Sequence, residues 1–307
     1  MEGLLAGRRV LVVGGGGAGN GRAITRGVGA AGARVAVVDI NPDRAADAAQ
    51  DVKNAGGDAL PLVGDVRVPA EVERLTSAAA DWLGGLDSLV TVVGGYSLFT
   101  PWTPLAQVTD EQWSLIMDLN LTYVFRFTRA ALNVFLAQGT GGSIVSIGSI
   151  SGNVSSPYGA AYGAAKAGLV NLAKSVSVEY GQAGIRMNVV SCGVIATEAQ
   201  QANFPGGGGL AERIPLGRPG KPEEIAAAVI FLASPYASYI SGQNLTADGS
   251  LTSRFPLPLP GIELCPRHGA DAQENSKPGG LAPGSWVDPP VAPALPIVLR
   301  DRWVTGG

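Results

Sequence analysis

The feature that most constrains the fold of this chain is the alternation of short apolar runs with longer amphipathic segments, which extends from Gly7 to about Gly249. Nearly continuous apolar runs are typical of strands that are buried on both faces of a parallel sheet. The runs predict strands over residues 9–13, 34–39, 86–93, 143–147 and 186–191, and the segments between them predict helices over residues 22–31, 42–55, 69–83, 110–137, 162–180 and 222–233. Such a chain is expected to form an α/β doubly wound fold that binds ligands at the carboxyl ends of its strands.

The composition excludes several classes of protein. Of the 307 residues 46% are apolar and 15% are charged, which predicts a sizeable buried core. The net charge of −3 and the lack of a Lys/Arg block argue against nucleic acid or an anionic membrane as the main partner. The two cysteines, Cys192 and Cys265, lie far apart, and His268 is the only histidine. We therefore expect no disulfide framework, no metal site and a cytoplasmic location.

The composition and the hydrophobic periodicity of the sequence change after residue 250. From Leu251 onward proline and glycine become dense and the hydrophobic periodicity ends. This composition predicts one folded domain over residues 1–250 and an extended or disordered arm over residues 251–307. The arm is compatible with disorder, with a position over the mouth of the ligand site, and with packing on a neighbouring subunit through Trp303, which we favour.

A glycine-rich stretch, "GGGGAGNG", separates the first predicted strand from the first predicted helix. Gly15, Gly19 and Gly21 form the pattern G-x-x-x-G-x-G, which is also compatible with a merely tight turn. Between a strand and a helix, however, missing side chains allow the backbone to approach a pyrophosphate at the helix N-terminus. Asp39 ends the second predicted strand, where a carboxylate can bind a ribose diol, although it can also be a solvated strand end. Because a carboxylate there repels a 2′-phosphate, NAD is favoured over NADP.

A second group of residues suggests proton transfer. Tyr162 and Lys166 lie four residues apart on a predicted helix and therefore share one face. An ammonium group beside a phenol is expected to lower the phenol's pKa from about 10, so that it exchanges a proton with an alcohol. Ser149, thirteen residues earlier at a strand end, can donate a hydrogen bond to an alkoxide. Taken singly, these residues are equally compatible with a surface pair and a loop serine that caps its own backbone.

Together these motifs resemble the short-chain dehydrogenase/reductase family over residues 7–250. The matching features, in family order, are the glycine pattern, Asp39, Asp65-Val66, Asn120 in "DLNLTYVF", Ser149, Tyr162-x-x-x-Lys166 and the stretch "PEEIAAAVIFLASPYASYISGQNLTADGS". The resemblance implies a single Rossmann-like domain with a seven-stranded parallel sheet, a nicotinamide cofactor and usually a homotetramer.

The resemblance also implies a role for each matching residue. Tyr162 would be the proton donor or acceptor, Lys166 would tune it and hold the nicotinamide ribose, Ser149 would orient the substrate oxygen, and Asn120 would keep a water in a proton relay. The cofactor would bind along Gly15, Gly19, Asn20, Gly21, Asp39, Ile40, Asp65, Val66, Val93, Gly94, Tyr162, Lys166, Gly193, Val194 and Thr197.

The sequence departs from the family pattern at three places. Gly14 stands where threonine is usual, Thr91-Val92-Val93-Gly94 replaces Asn-Asn-Ala-Gly, and Cys192 replaces the proline before Gly193. None of these changes removes a reacting group. Cys192 is interpreted as a small buried hydrophobe rather than a nucleophile.

The segments that follow the strands are rich in apolar and aromatic residues, which suits an apolar substrate. They include Tyr96, Leu98, Phe99, Trp102, Tyr158 and, in a glycine-rich loop with the position of a lid, Phe204. We expect an NAD-dependent enzyme that interconverts a secondary alcohol, such as a hydroxysteroid or another cyclic alcohol, and its ketone. One alternative is a 3-oxoacyl thioester reductase, disfavoured by Asp39 and kept open by Arg126 and Arg129. The other is an NAD-sensing protein without catalysis.

Overall fold

The computed structural model describes residues 3–198, 200 and 209–253. Seven parallel strands form one sheet in the order β3-β2-β1-β4-β5-β6-β7. The strands are β1 (Arg9–Val13), β2 (Arg34–Asp39), β3 (Asp58–Val63), β4 (Ser88–Thr91), β5 (Gly142–Ser149), β6 (Ile185–Cys192) and β7 (Asn244–Ala247). The predicted doubly wound, seven-stranded architecture is thereby confirmed.

Eight α-helices flank or connect these strands within the described residues. They are α1 (Asn20–Ala30), α2 (Pro42–Asn54), α3 (Pro69–Leu83), α4 (Asp110–Met117), α5 (Tyr123–Gln138), α6 (Ala160–Tyr180), α7 (Leu210–Arg213) and α8 (Pro222–Ala233). Local chemistry fixes several helix starts. The Asn41 side chain accepts a hydrogen bond from the Arg44 amide ahead of α2, and Thr109 and Gln112 form a reciprocal capping box at α4.

The sheet is covered on both faces by separate apolar clusters. One face packs against α1, α2 and α8, for example through Ile24, Val52 and Val229. The opposite face packs against α3, α5 and α6, for example through Leu75 and Phe127. Burial on both faces explains why β1 and β2 are almost continuous runs of valine, leucine and alanine.

The strand order reverses direction between β1 and β4. The chain winds from β1 outward to β3, returns to β4 on the other side of β1, and continues to β7. In a doubly wound sheet the crevice for a ligand opens at the carboxyl ends of the strands that flank this switch point. Every residue predicted for the site is therefore expected near the carboxyl ends of β1, β4 and their neighbours.

The prediction of one long helix over residues 110–137 is wrong in one respect. It is interrupted by a π-helical turn, Asp118–Thr122, between α4 and α5. The Asn120 side chain donates a 3.0 Å hydrogen bond to the carbonyl of Ile116, four residues earlier, which is the usual acceptor for the Asn120 backbone amide in an α-helix. Competition of this kind loosens the helical turn, and π-turns are frequent at functional sites.

The predicted arm over residues 251–307 lies mostly outside the described residues. Trp303, Cys265, His268 and Phe204 also lie outside them. The division between a folded domain and an arm therefore stays a prediction.

Candidate active site

The glycine-rich turn after β1 is packed so closely that side chains are excluded from it. A Cβ atom on Gly21 would overlap the carbonyl oxygen of Gly14, and one on Gly15 would lie 2.5 Å from the Thr25 hydroxyl. Gly19 has a φ of +91°, and its Cβ would lie 2.7 Å from a methyl group of Thr197. The turn thus brings the backbone itself to the start of α1.

The start of α1 has the properties of an anion site. The N-cap residue is Gly19, which has no side chain to cap the helix, and the first turn carries no acidic residue. The Oδ1 atom of Asn20, the first residue of the helix, is buried and has no hydrogen-bond partner among the described residues; as an acceptor it suits a hydroxyl of a ligand rather than the phosphate itself. The positive end of the helix dipole favours a phosphate group here. The residues therefore fit the pyrophosphate of a dinucleotide.

The residues predicted to bind the adenosine half of the cofactor follow the neighbouring strands. Asp39 is buried at the end of β2, and its Oδ1 accepts a 3.0 Å hydrogen bond from the Asn41 amide. Ile40 beside it is exposed. After β3, Val66 is buried, whereas Asp65 forms an ion pair of 2.6 Å with Arg67 that lowers the pKa of the Asp65 carboxyl. Sequence reasoning did not anticipate this ion pair, which arises from two residues that are only two positions apart.

The nicotinamide half is predicted to lie near the ends of β4 and β6. Gly94 has a φ of +152°, and a Cβ atom there would lie 2.6 Å from Asn120 Oδ1 and 3.2 Å from Lys166 Nζ. The structure therefore brings Gly94, Asn120 and Lys166 together. After β6, a Cβ on Gly193 would meet the backbone of Asp248 at 2.7 Å, so this position also excludes a side chain. Val194 lines a cavity of about 400 Å³ next to the end of β7.

The residues predicted for proton transfer converge from β5 and α6. Lys166 is buried, and its Nζ donates a 2.9 Å hydrogen bond to the carbonyl oxygen of Ile147. The same Nζ lies 5.7 Å from the centre of the Tyr162 ring. Ser149 is buried at the end of β5, and its hydroxyl hydrogen-bonds with the Tyr162 phenol. The spacing of thirteen residues between Ser149 and Tyr162 is thus the length of the turn from the end of β5 back onto α6.

The electrostatics of this group differ from the sequence expectation. Burial raises the pKa of Tyr162 to about 12, and the hydrogen bond from Ser149 only partly opposes this effect. Burial also lowers the pKa of Lys166 to about 8. The expected lowering of the phenol's pKa by Lys166 is therefore not found. The ammonium is directed to the Ile147 carbonyl, and the cost of burying either charge outweighs their attraction.

Cys192 lies at the end of β6 directly beside Ser149, its register partner on β5. It is buried, and burial raises the pKa of its thiol to about 12. A thiol that keeps its proton is a poor nucleophile. The environment therefore agrees with the interpretation of Cys192 as a small apolar side chain.

Asn120 occupies the π-turn between α4 and α5 and is fully buried. Its Oδ1 accepts a 3.0 Å hydrogen bond from the Gly95 amide, and its Nδ2 donates a 3.0 Å bond to the Gly95 carbonyl. The side chain therefore holds the segment that follows β4 in place, a contact that the sequence pattern did not reveal.

Comparisons with known proteins agree with this geometry. The family described as "Enoyl-(Acyl carrier protein) reductase" matches residues 16–252. A 3-oxoacyl-[acyl-carrier-protein] reductase of Synechocystis sp. is 36% identical over 247 residues, with 79% of this chain and 96% of the relative covered. The cis-4-hydroxycyclohexanecarboxylate dehydrogenase of Sinomonas cyclohexanicum is 37% identical over 247 residues, with 80% and 97% covered.

A solved structure of a 7α-hydroxysteroid dehydrogenase, complexed with NADH and 7-oxo glycochenodeoxycholic acid, has a TM-score of 0.76 and 30% sequence identity. The match covers 80% of this chain and 95% of that chain. The chain belongs to the short-chain dehydrogenase/reductase family. This short-chain dehydrogenase/reductase is therefore an oxidoreductase that acts on an alcohol or ketone with a nicotinamide cofactor. The predicted family and its Rossmann-like nucleotide-binding fold are confirmed.

None of the helices in the described part of this short-chain dehydrogenase/reductase is both long and apolar enough to cross a bilayer. Within residues 3–198, 200 and 209–253, no three His, Cys, Asp or Glu side chains are grouped so that they could hold a metal ion.

Proposed function

We propose that this protein is an NAD(H)-dependent enzyme that interconverts an apolar or cyclic secondary alcohol, such as a hydroxysteroid, and its ketone. The observation that carries the proposal is the convergence of Ser149, Tyr162 and Lys166 beside Gly94 at the switch point of the sheet. When bound, the nicotinamide ring supplies the hydride acceptor or donor. The chain itself must then bind the substrate oxygen and move one proton.

The proton is assigned to the Tyr162 phenol. With a pKa near 12, the phenol is protonated at neutral pH, which is the form that donates a proton to a ketone oxygen. Ser149, already hydrogen-bonded to the phenol, orients the same oxygen. Lys166 is proposed to hold the nicotinamide ribose, and the π-turn of Asn120 to keep a water for proton exchange with solvent.

The preference for NAD rests on Asp39. Its carboxylate lies buried at the end of β2, where a 2′-phosphate would meet a negative charge, and its Oδ1 is already bonded to the Asn41 amide. Both facts support a ribose diol as the ligand. The remaining cofactor contacts, from Gly15 to Thr197, are proposed from their position along the crevice.

The substrate class is proposed from four residues that follow β4 or precede α6, Leu98, Phe99, Trp102 and Tyr158, which we call the aromatic rim because three of them are aromatic. The ring of Trp102 packs 4.8 Å from that of Tyr96, and it would contact a Cβ on Gly159 at 3.0 Å. The Thr103 amide donates a 3.0 Å hydrogen bond to the carbonyl of Tyr158, which ties the two sides of the rim together. All four rim side chains are exposed. Such a rim favours a flat apolar substrate over a small polar one.

A 3-oxoacyl thioester reductase is the second candidate, since a relative 36% identical to this chain carries that name. For this candidate, two basic residues on α5 would have to be available to bind an acidic carrier protein. Arg129 is already paired with Glu73 at 3.7 Å and lies over the Phe125 ring, and Arg126 donates to the carbonyl of Arg67. These contacts favour the alcohol dehydrogenase. The homotetramer and the cytoplasmic location stay predictions.

The deciding experiment follows the absorbance of NADH with a panel of substrates, with NAD and NADP in parallel. The panel holds steroid alcohols, small cyclic alcohols and 3-hydroxyacyl thioesters, and wild type is compared with Tyr162→Phe and with the exposed control Tyr236→Phe. We expect turnover of cyclic alcohols with NAD, a decrease of about 10²–10⁴-fold in Tyr162→Phe, and wild-type rates in Tyr236→Phe. Faster turnover of thioesters would favour the second candidate. Tight binding of NAD without any turnover would favour a sensing protein.

A further inference from the structure

The segment that follows β4 lies between the glycine-rich turn and the proton-transfer residues. We call Val93, Gly94 and Gly95 the floor segment. A Cβ atom on Gly14 would lie 2.6 Å from a methyl group of Val93 and 2.8 Å from its amide nitrogen. At its other side the floor segment touches Asn120 and Lys166 through Gly94. The position of this segment therefore affects both the turn and the reacting groups.

The floor segment cannot fix its own conformation. Gly94 and Gly95 have φ values of +152° and +131°, which side chains other than hydrogen rarely allow. Two consecutive glycines lose more backbone entropy on ordering than any other pair of residues. The segment must therefore be held by groups from outside.

One external tie comes from Tyr123, the first residue of α5. Its hydroxyl donates a 2.7 Å hydrogen bond to the carbonyl oxygen of Val93. The ring is 1% exposed and lies edge-on to Phe127, with 6.4 Å between the ring centres. Burial raises the pKa of this phenol, so it stays a neutral donor. Together with the two bonds from Asn120 to Gly95, this bond holds both ends of the floor segment.

The phenol belongs to a buried group of hydroxyls from three elements. The Thr91 hydroxyl, at the end of β4, lies close enough to the Tyr123 phenol to oppose the effect of burial on the pKa of the phenol. Thr91 also donates a 2.8 Å hydrogen bond to the Ser146 hydroxyl on β5. All three side chains are nearly inaccessible to solvent. A fully paired buried network of this kind restricts the positions of the elements that it joins.

We propose that Tyr123 is a positioning residue for the nicotinamide cofactor: by holding the Val93 carbonyl, it fixes the floor segment on which the cofactor lies. It does so in a chain where Thr91-Val92-Val93 stands in place of Asn-Asn-Ala. The phenol touches none of the groups assigned to proton transfer, so its effect is on binding. The inference rests on the proposed function, because it takes the crevice above the floor segment as the cofactor site.

The test compares Tyr123→Phe with the control Ser143→Ala. Ser143 is also buried, and its hydroxyl donates a 3.2 Å hydrogen bond to the carbonyl of Leu232. It lies at the start of β5, whereas the candidate site lies at the carboxyl ends of the strands. The readouts are the Kd for NAD by calorimetry and the hydrogen exchange of residues 92–97 without cofactor. Loss of one buried hydrogen bond is expected to raise the Kd about ten-fold in Tyr123→Phe and to accelerate exchange of this segment. Ser143→Ala should bind NAD as wild type does.

Each outcome decides the inference. An unchanged Kd and unchanged exchange in Tyr123→Phe would overturn it. Should Tyr123→Phe fail to fold, Thr91→Val removes only the neighbouring hydroxyl, and a smaller change in the same direction is expected; no change would again overturn the inference. Should wild type bind neither NAD nor NADP, the proposed function fails, and the exchange data alone then show whether the phenol holds the floor segment.

Discussion

Asn120 holds Gly95 by both of its backbone groups, accepting a hydrogen bond from the Gly95 amide and donating one to the Gly95 carbonyl, each 3.0 Å long. The same side chain donates to the Ile116 carbonyl and so opens the π-turn between α4 and α5. One buried amide thus connects the helix that carries it to the segment that follows β4.

Replacement of this amide should therefore affect both stability and activity. Asn120→Ala leaves three backbone groups without their partner, and we expect the free energy of unfolding to decrease by about 3 kcal/mol. Activity should decrease as well, because Gly94 loses the contact with the Asn120 side chain that fixes its position. Urea denaturation and NADH absorbance check both effects. Asn54→Ala removes an amide at the exposed end of α2 and serves as control; equal loss in the two variants would contradict the prediction.

The glycine-rich turn offers a matched pair of substitutions. Gly21→Ala puts a Cβ atom onto the carbonyl oxygen of Gly14, so the start of α1 must shift. We expect a stability loss of about 1–3 kcal/mol and a marked loss of dinucleotide affinity. Gly181→Ala adds the same methyl group where no atom lies within 4 Å and φ is −59°. That variant should be neutral or slightly stabilised and should bind the dinucleotide normally. Normal affinity in Gly21→Ala, measured by calorimetry, would contradict the prediction.

The buried Lys166 predicts an unusual dependence of stability on pH. Its pKa is about 8 in the folded protein and about 10.4 in an unfolded chain, so the unfolded state binds more protons between these values. Stability should therefore rise with pH above 8, by at most about 1.4 kcal/mol per pH unit. The raised pKa of Cys192 acts in the opposite direction already from about pH 8, where the unfolded thiol begins to lose its proton, and the raised pKa of Tyr162 does so from about pH 9.

Between pH 7.5 and 9 the contribution of Lys166 shows as a difference between variants, because the opposing contribution of Cys192 is common to all of them. Urea denaturation of wild type and of the exposed control Lys174→Met should show the rise, and Lys166→Met should not. The same slope in all three proteins would show that Lys166 keeps an ordinary pKa.

The sequence predicts the interior of the sheet well and its edges poorly. The bounds of β1 and β2 are those of the apolar runs, because both faces of these strands are covered. The residue pattern did not identify β3 or β7, which are the two edge strands. β3 contains Pro61, which an edge strand tolerates, and β7 has four residues of which none is fully buried. Only the family resemblance implied a seven-stranded sheet.

In the candidate site, the sequence predicts what depends on local spacing but not what depends on tertiary contacts. Motif spacing identified Ser149, Tyr162 and Lys166, since the spacing along a strand, a turn and a helix fixes where side chains meet. It did not predict the π-turn, the direction of the Tyr162 pKa shift or the bond from Tyr123 to Val93. Each of these depends on burial or on a contact between residues from different elements, which a sequence pattern does not contain.

Charge at the end of β2 is predicted to set the cofactor preference. Asp39→Asn keeps an acceptor for the Asn41 amide but removes the negative charge. We expect the ratio of kcat/KM for NADP to kcat/KM for NAD to rise by about ten-fold or more, because the 2′-phosphate no longer meets a buried carboxylate. Asp110→Asn changes a charge on α4 instead and should leave the ratio unchanged. A wild-type preference for NADP would refute the role assigned to Asp39.

Tyr158 combines a strained backbone with an exposed ring, and two substitutions separate these properties. Its φ is +61°, a conformation that costs about 1 kcal/mol for a residue with a Cβ, and its side chain is 59% exposed. Tyr158→Ala and Tyr158→Gly both remove the ring, but only glycine relieves the strain. Both variants should therefore raise KM for cyclic alcohols about ten-fold and leave KM for small open-chain alcohols unchanged. Tyr158→Gly should in addition be about 1 kcal/mol more stable than Tyr158→Ala in urea denaturation. If KM for cyclic alcohols stays constant in both variants, the ring does not contact the substrate, and the aromatic rim is a surface feature rather than a specificity element.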